Sequence, residues 1–167
     1  SHFIFGDVAT ATIVERSDTC NAPHSYEILS IKAITQFSSN VRSNMGYLSR
    51  VNDVDPFGPD KLFHQNGRRV FKEVCPITEQ HLRSHVESLG LTISDVTRWW
   101  LHQANINMNQ MIIQRLLGRE ATLEEAPIIL DRYANTASAG SIIAFNLHNQ
   151  DLKHDDIGVI SSFGAGY

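Results

Sequence analysis

Cysteine is scarce in this chain of 167 residues: Cys20 and Cys75 lie far apart and form neither a Cys-x-x-Cys pair nor a Cys/His spacing suited to zinc. A disulfide-stapled or zinc-organised domain is therefore not expected, and the two thiols read as a turn-adjacent residue and a small buried helix residue. Basic charge is also short. With 14 Lys and Arg against 18 Asp and Glu the formal net charge is −4, which argues against a general nucleic-acid binder, whose phosphate contacts need clustered cations. No apolar run is long enough to span a membrane, and no charged, apolar leader opens the sequence, so no membrane association is expected and cytoplasm is the expected location. Metal signals are weak. His81 and His85 share a helical face without an acidic partner and read as a solvated face, and Asp53 and Asp55 lack the remaining ligands of a calcium loop.

What the chain does have is length for one domain with a real core, and a run of alternating elements. Phe3 to Phe5 and Val8 to Val14 read as strand with both faces nearly uncharged, hence covered, and Tyr26 to Phe37 as a second strand. Ser38 to Gln65, rich in Asn, Asp, Gly and Pro, reads as irregular loop, either a cover for a tunnel or a disordered excursion. The spacing predicts a helix over Gly67 to Leu89, kinked or split at Pro76 and ended by Gly90. Strands are predicted at Val96 to Leu101, Ile128 to Leu130 and Ile157 to Phe163, and a helix at Met108 to Leu117 with Gly118 as its C-cap. Thr136 to Asn149 carries almost no charge on any side. A helix of that kind must be buried.

Two polar residues sit where apolar runs end: His102, after Trp99-Trp100-Leu101, and Asn135, within Asp131-Arg132-Tyr133-Ala134-Asn135. Each follows a strand-like run and precedes a helix-like one, so both side chains can meet above the ends of parallel strands, where open α/β sheets place their ligands. A neutral imidazole N–H and a carboxamide N–H aimed at one point make an oxyanion hole, which stabilises charge developing on a thioester or ketone oxygen.

The run Asn66-Gly67-Arg68-Arg69-Val70-Phe71-Lys72, then His102-Gln103-Ala104-Asn105, Asn135-Thr136 and Phe163-Gly164-Ala165-Gly166 resembles, in order and spacing, the C-terminal half of β-ketoacyl-acyl carrier protein synthase III. The resemblance spans nearly the whole chain. It implies an α/β, thiolase-like fold of which residues 1–167 are the C-terminal half only, a mixed sheet with a buried central helix and outer helices. Those enzymes use a Cys-His-Asn triad whose cysteine belongs to the N-terminal half. The opening residues Ser1 to Asp7 look like an interior strand and the chain stops inside a glycine turn, so the polypeptide reads as incomplete, with the N-terminal half absent and no activity expected of this chain alone.

By resemblance, His102 and Asn135 are the catalytic pair of a decarboxylative condensation between an acyl thioester and a malonyl thioester. Asn105 caps the following helix or lies near the pantetheine arm, or both. Phe163 shields the site or is an ordinary core aromatic, and Ala165 stands where the family often has glycine, its N–H still able to serve an oxyanion hole. Asn107 departs from the pattern: several members carry there an arginine that helps dock acyl carrier protein. The resemblance implies no metal or redox cofactor, acyl-CoA and acyl carrier protein as partners, and a homodimer for the complete enzyme. A second reading is a non-catalytic thiolase-like subunit that partners an active paralogue. A third, a general α/β ligand-binding domain, leaves the His/Asn pair unexplained.

Overall fold

The computed structural model describes residues 4–42, 63–164 and 167. Its organising unit is a parallel pair of strands, β3 (Val96–Trp100) and β4 (Ile157–Ile160), with Trp99 opposite Val159 and Trp100 opposite Ile160. A second sheet is small. In it β1 (Val41–Arg42) pairs antiparallel with β2 (His64–Gln65), so the ends of the expected loop close on each other as a short ladder. The expected mixed sheet is thus divided into two among the described residues. The segment between β1 and β2, including Asp53 and Asp55, lies outside the described residues.

Helix α1 (Gly67–Ser88) begins where Asn66 Oδ1 accepts the Arg69 N–H at 3.3 Å. Val70, Val74, Thr78, Leu82 and Val86 recur every fourth residue and are all buried, with Cys75 beside them. The sequence predicts a kink or a split at Pro76; of the two, the split does not occur, and α1 runs through as one helix. An interior proline costs about 3 kcal/mol, and a buried Val or Leu returns about 1.5 to 3 kcal/mol, so the apolar stripe on both sides of Pro76 holds the helix together.

Helix α2 (Ile106–Leu117) is capped by Asn105, whose Oδ1 accepts the N–H groups of Asn107 and Met108 at 2.9 and 3.4 Å, and it ends at Gly118 in the left-handed conformation, as the sequence predicts. Its buried residues Met108, Ile112, Ile113 and Leu116 join the α1 stripe and Val96, Trp99 and Leu101 in the main core. That core lies on one side of β3. A second cluster of Trp100, Ile129, Ile143 and Ala144 lies apart from it, where helix α4 packs.

The strand expected at Ile128 to Leu130 is absent: helix α3 (Leu130–Tyr133) starts there instead. The Ile129 N–H, which a strand would offer to a neighbour, donates to the side chain of Gln103 at 3.1 Å. Helix α4 (Ala139–Leu147) is shorter than the Thr136 to Asn149 span read from its composition, because Asn135 Oδ1 takes the Ala137 N–H at 3.0 Å and Ala137 adopts φ 53°. Its cover is also one-sided. Gly140, Ser141, Ile143 and Ala144 are buried, whereas Asn146, Leu147 and His148 are exposed.

The N-terminal segments depart furthest from expectation. Phe5 forms a single parallel bridge with Asn135, but Val8 to Val14 and Tyr26 to Phe37 run without a ladder among the described residues, and both their faces are open: Ile13 is 92% and Phe37 86% exposed. Apolar alternation marks a strand that needs a neighbour, and the described residues supply none to them. Tyr26 anchors the second segment, its hydroxyl donating to Asn149 O at 2.9 Å and its ring 5.2 Å from Phe145. His81 and His85 are partly exposed, and their Nε2 atoms bond the Lys32 carbonyl at 3.2 Å and the Ser30 hydroxyl at 3.0 Å, tying α1 to the same segment.

Candidate active site

Parallel pairing brings the C-terminal ends of β3 and β4 to one edge. The Ser161 N–H still donates to Trp100 O at 3.0 Å, so the chains leave the sheet in register, and His102 and Ser162 emerge side by side. His102 is 6% exposed, and burial pushes its imidazole down to about pH 4, so the ring is neutral at pH 7. Its Nδ1 lies 3.2 Å from Ser162 Oγ, and its face meets Phe163, ring centroids 4.3 Å apart and inclined by 53°. Phe163 itself is half-buried.

Asn135 is held by a separate set of contacts. Its backbone is clamped to the first described residues, the Asn135 N–H donating to Ile4 O at 3.1 Å and the Gly6 N–H to Asn135 O at 2.9 Å. A Cβ on Gly6 would lie 2.1 Å from Tyr133 O, so only glycine allows this approach. The sequence reading put Asn135 at the start of the buried helix; it precedes α4 by four residues instead. It is flanked by strained backbone. Ala134 has φ 55° and Ala137 φ 53°, conformations that cost a non-glycine residue about 1 to 3 kcal/mol each and gather where a side chain must be aimed. The Asn135 side-chain oxygen Oδ1 is engaged by the Ala137 N–H, which leaves the Nδ2 hydrogens as its outward donors.

Gln103 links the two arms. Fully buried, it donates from Nε2 to Leu101 O at 2.9 Å and to Pro127 O at 3.2 Å and accepts from Ile129 N–H at 3.1 Å. One side chain therefore fixes both the turn that bears His102 and the segment leading to Asn135. Gly140 closes the arrangement from α4: a Cβ there would lie 2.9 Å from Gln103 Cβ and 3.2 Å from Thr136 Oγ1. Asn105 is exposed at the α2 cap, and Asn107 beside it is exposed and uncharged. Ala165 lies outside the described residues. Sequence reasoning passed over Ser162 and Gln103, although each adjoins a residue it had singled out. Among the described residues no group of three or more His, Cys, Asp and Glu gathers as metal ligands, and no helix is long and apolar enough to cross a membrane.

The model of the 3-oxoacyl-[acyl-carrier-protein] synthase III C-terminal family matches residues 86–167. Over its whole length the chain is 52% identical to a β-ketodecanoyl-[acyl-carrier-protein] synthase of Pseudomonas aeruginosa, covering 48% of that protein. Residues 86–167 thus match the C-terminal domain of the synthase III condensing enzymes. A β-ketoacyl-[acyl-carrier-protein] synthase III of Wolbachia is 25% identical over 98% of the chain and 49% of its own length, so the chain spans about half the length of the curated relatives it matches. In solved structures the same fold recurs. A 3-oxoacyl-(acyl-carrier-protein) synthase III aligns over 87% of this chain and 47% of its own, with a TM-score of 0.69 at 18% identity, and the enzyme of Thermus thermophilus over 80% and 41%, with 0.61 at 25%. The fold is thus the thiolase-like fold of the synthase III enzymes.

Proposed function

We propose that this chain is the C-terminal half of a synthase III-like acyltransferase and contributes the groups that stabilise the enolate in a decarboxylative Claisen condensation. An acyl group from acyl-CoA is held as a thioester on a cysteine outside residues 1–167. A malonyl thioester on acyl carrier protein then loses carbon dioxide, and the electron pair of the broken C–C bond becomes an enolate whose oxygen takes hydrogen bonds from His102 Nε2 and Asn135 Nδ2. The carbanion attacks the acyl carbonyl, expelling the cysteine thiolate and forming a β-ketoacyl thioester. No electrons leave or enter, so the step calls for no redox cofactor.

The observation that carries this reading is the state of His102: buried, neutral at pH 7 and held at the parallel strand ends with Nε2 unbonded among the described residues. A neutral ring still carries one N–H, and on Nε2 that hydrogen is free for the enolate oxygen. The cysteines of the chain support an outside nucleophile. Cys75 is 1% exposed in the α1 stripe, its thiol pushed up by burial, which is the reverse of an activated thiolate. Asn105 would then lie beside the pantetheine arm, Phe163 would shield the enolate from water, and the Ala165 N–H would complete the donor set.

The name of the Pseudomonas relative adds the substrate class. A β-ketodecanoyl product is an octanoyl primer plus the two carbons retained from malonate, so a medium-chain acyl-CoA is the proposed primer here. Acyl carrier protein and a second copy of the full-length enzyme are the proposed partners. The test is to measure carbon dioxide release and acyl-enzyme formation separately in the full-length protein. His102→Ala or Asn135→Ala lowers release about 100- to 1,000-fold with less effect on acylation. Undiminished release in either variant overturns the reading.

A further inference from the structure

An imidazole that stabilises an enolate oxygen must present a hydrogen from the nitrogen that faces the substrate. A neutral ring has one N–H, and the partner of the other nitrogen decides where it sits. For His102 that partner is Ser162, whose Oγ lies 3.2 Å from Nδ1, and no described residue bonds Nε2. The contact is built into the sheet. Trp100 and Ile160 are opposite each other, the Ser161 N–H continues the ladder to Trp100 O, and the second residue beyond each strand therefore meets its counterpart. Phe163, next in the chain, lies against the ring with centroids 4.3 Å apart, so consecutive residues of one turn hold the imidazole at one nitrogen and on one face.

We propose that Ser162 is a positioning residue: its hydroxyl donates to His102 Nδ1 and so fixes the tautomer that carries hydrogen on Nε2. The opposite arrangement, Nδ1–H donating to Ser162, would aim a bare lone pair at the developing negative charge. Burial of the ring supports the assignment, because a ring that stays neutral has a single hydrogen to place. This inference rests on the enolate-stabilising reading of His102. It adds to that reading a residue whose only route to the chemistry is through another side chain.

The test uses the full-length protein labelled with 15N-histidine, with His102→Ala to assign the signal. The expected wild-type spectrum has a pyridine-like Nδ1 and a protonated Nε2. Ser162→Ala mixes the tautomers and lowers kcat for decarboxylation of malonyl-CoA about tenfold, the upper worth of one neutral hydrogen bond, while KM stays within about twofold on the same scale. Ser162→Thr, which keeps the hydroxyl, restores both signals and rate. A protonated Nδ1 in the wild type overturns the proposal, and so does Ser162→Ala with unchanged kcat and ring signals. Should the alanine variant not fold, the wild-type spectrum and the threonine variant decide. His102→Ala in the same assay separates the two levels: full decarboxylation there removes the functional reading and Ser162 with it, whereas a crippled His102→Ala beside an unaffected Ser162→Ala removes Ser162 alone.

Discussion

Arg98 and Asp151 form a two-pronged ion pair, Nη1 to Oδ1 at 2.6 Å and Nη2 to Oδ2 at 2.8 Å, in which the cation is buried beneath β3 and the carboxylate faces water. The same guanidinium donates to His148 O at 3.0 Å, where Trp100 Nε1 also donates at 3.1 Å. Two residues of β3 thus satisfy the carbonyl that follows α4, and Asp151 neutralises the charge this requires. Loss of the carboxylate leaves a buried cation with weaker compensation.

Asp151→Asn is therefore expected to lower the melting temperature of the full-length protein at neutral pH. The guanidinium holds the Asp151 carboxyl down to about 2, below its usual range, so the stabilisation is complete above about pH 4 and is lost as pH falls toward about 2. Thermal melts of both proteins across that range check this: the two curves converge in acid. Parallel curves would show that the pair contributes nothing through charge.

His102 gives a second pH signature. Its folded value of about 4 lies below the ordinary 6.5, so between these values the unfolded chain binds a proton that the folded chain does not. Stability is full above about pH 6.5 and falls through that window, by on the order of 3 kcal/mol for a shift of this size. Decarboxylation keeps its neutral donor down to about pH 4. A rate profile with an acid limb near 4, absent from the acylation step, is the expected result; a limb near 6.5 would mean that the ring is solvated in the working enzyme.

Gly140→Ala tests the junction of α4 with Gln103. In a helix interior the change normally stabilises by about 1 kcal/mol. Here the new Cβ meets Gln103 Cβ at 2.9 Å, so the variant is expected to lose stability and malonyl decarboxylation together. A gain in melting temperature with full activity would remove Gln103 from the positioning of His102.

Residues 1–167 expressed alone are expected to self-associate, since Ile13, Val14, Ile31 and Phe37 are between 71% and 92% exposed. Light scattering checks this, and a monodisperse monomer is the contrary outcome. The same preparation incubated with acyl-CoA is expected to show no acyl group on Cys20 or Cys75 by mass spectrometry. Stoichiometric acylation and turnover would place the nucleophile within this chain.

How far the sequence was legible follows from where each residue's partners lie. Val70, Val74, Leu82 and Val86 of α1, the Asn105 cap and the Gly118 terminus depend on neighbours within a few turns, and these stand where periodicity and capping put them, whereas Leu89, expected on the same stripe, is exposed. The α3 turn does not, because the Ile129 N–H is taken by a Gln103 side chain from a distant part of the chain. Exposure of Val8 to Val14 was illegible for the same reason: a strand pattern states that cover is needed and says nothing of which chain supplies it. At the site, His102, Asn135 and Phe163 were visible as types at element ends. Ser162 was not, since its role arises from strand register and not from spacing.

The bridge between Phe5 and Asn135 also sets a clock. Asn135 stands far along the chain from its backbone partners, Ile4 and Gly6. The local helices can form from short-range contacts, but the carboxamide cannot take its final aim until these two distant segments meet, and closing so long a span is slow. A folding intermediate with its helices in place would be well ordered by every spectroscopic measure of secondary structure and still lack an assembled site. Recovery of decarboxylase activity should lag behind recovery of helix signal when the full-length protein is refolded.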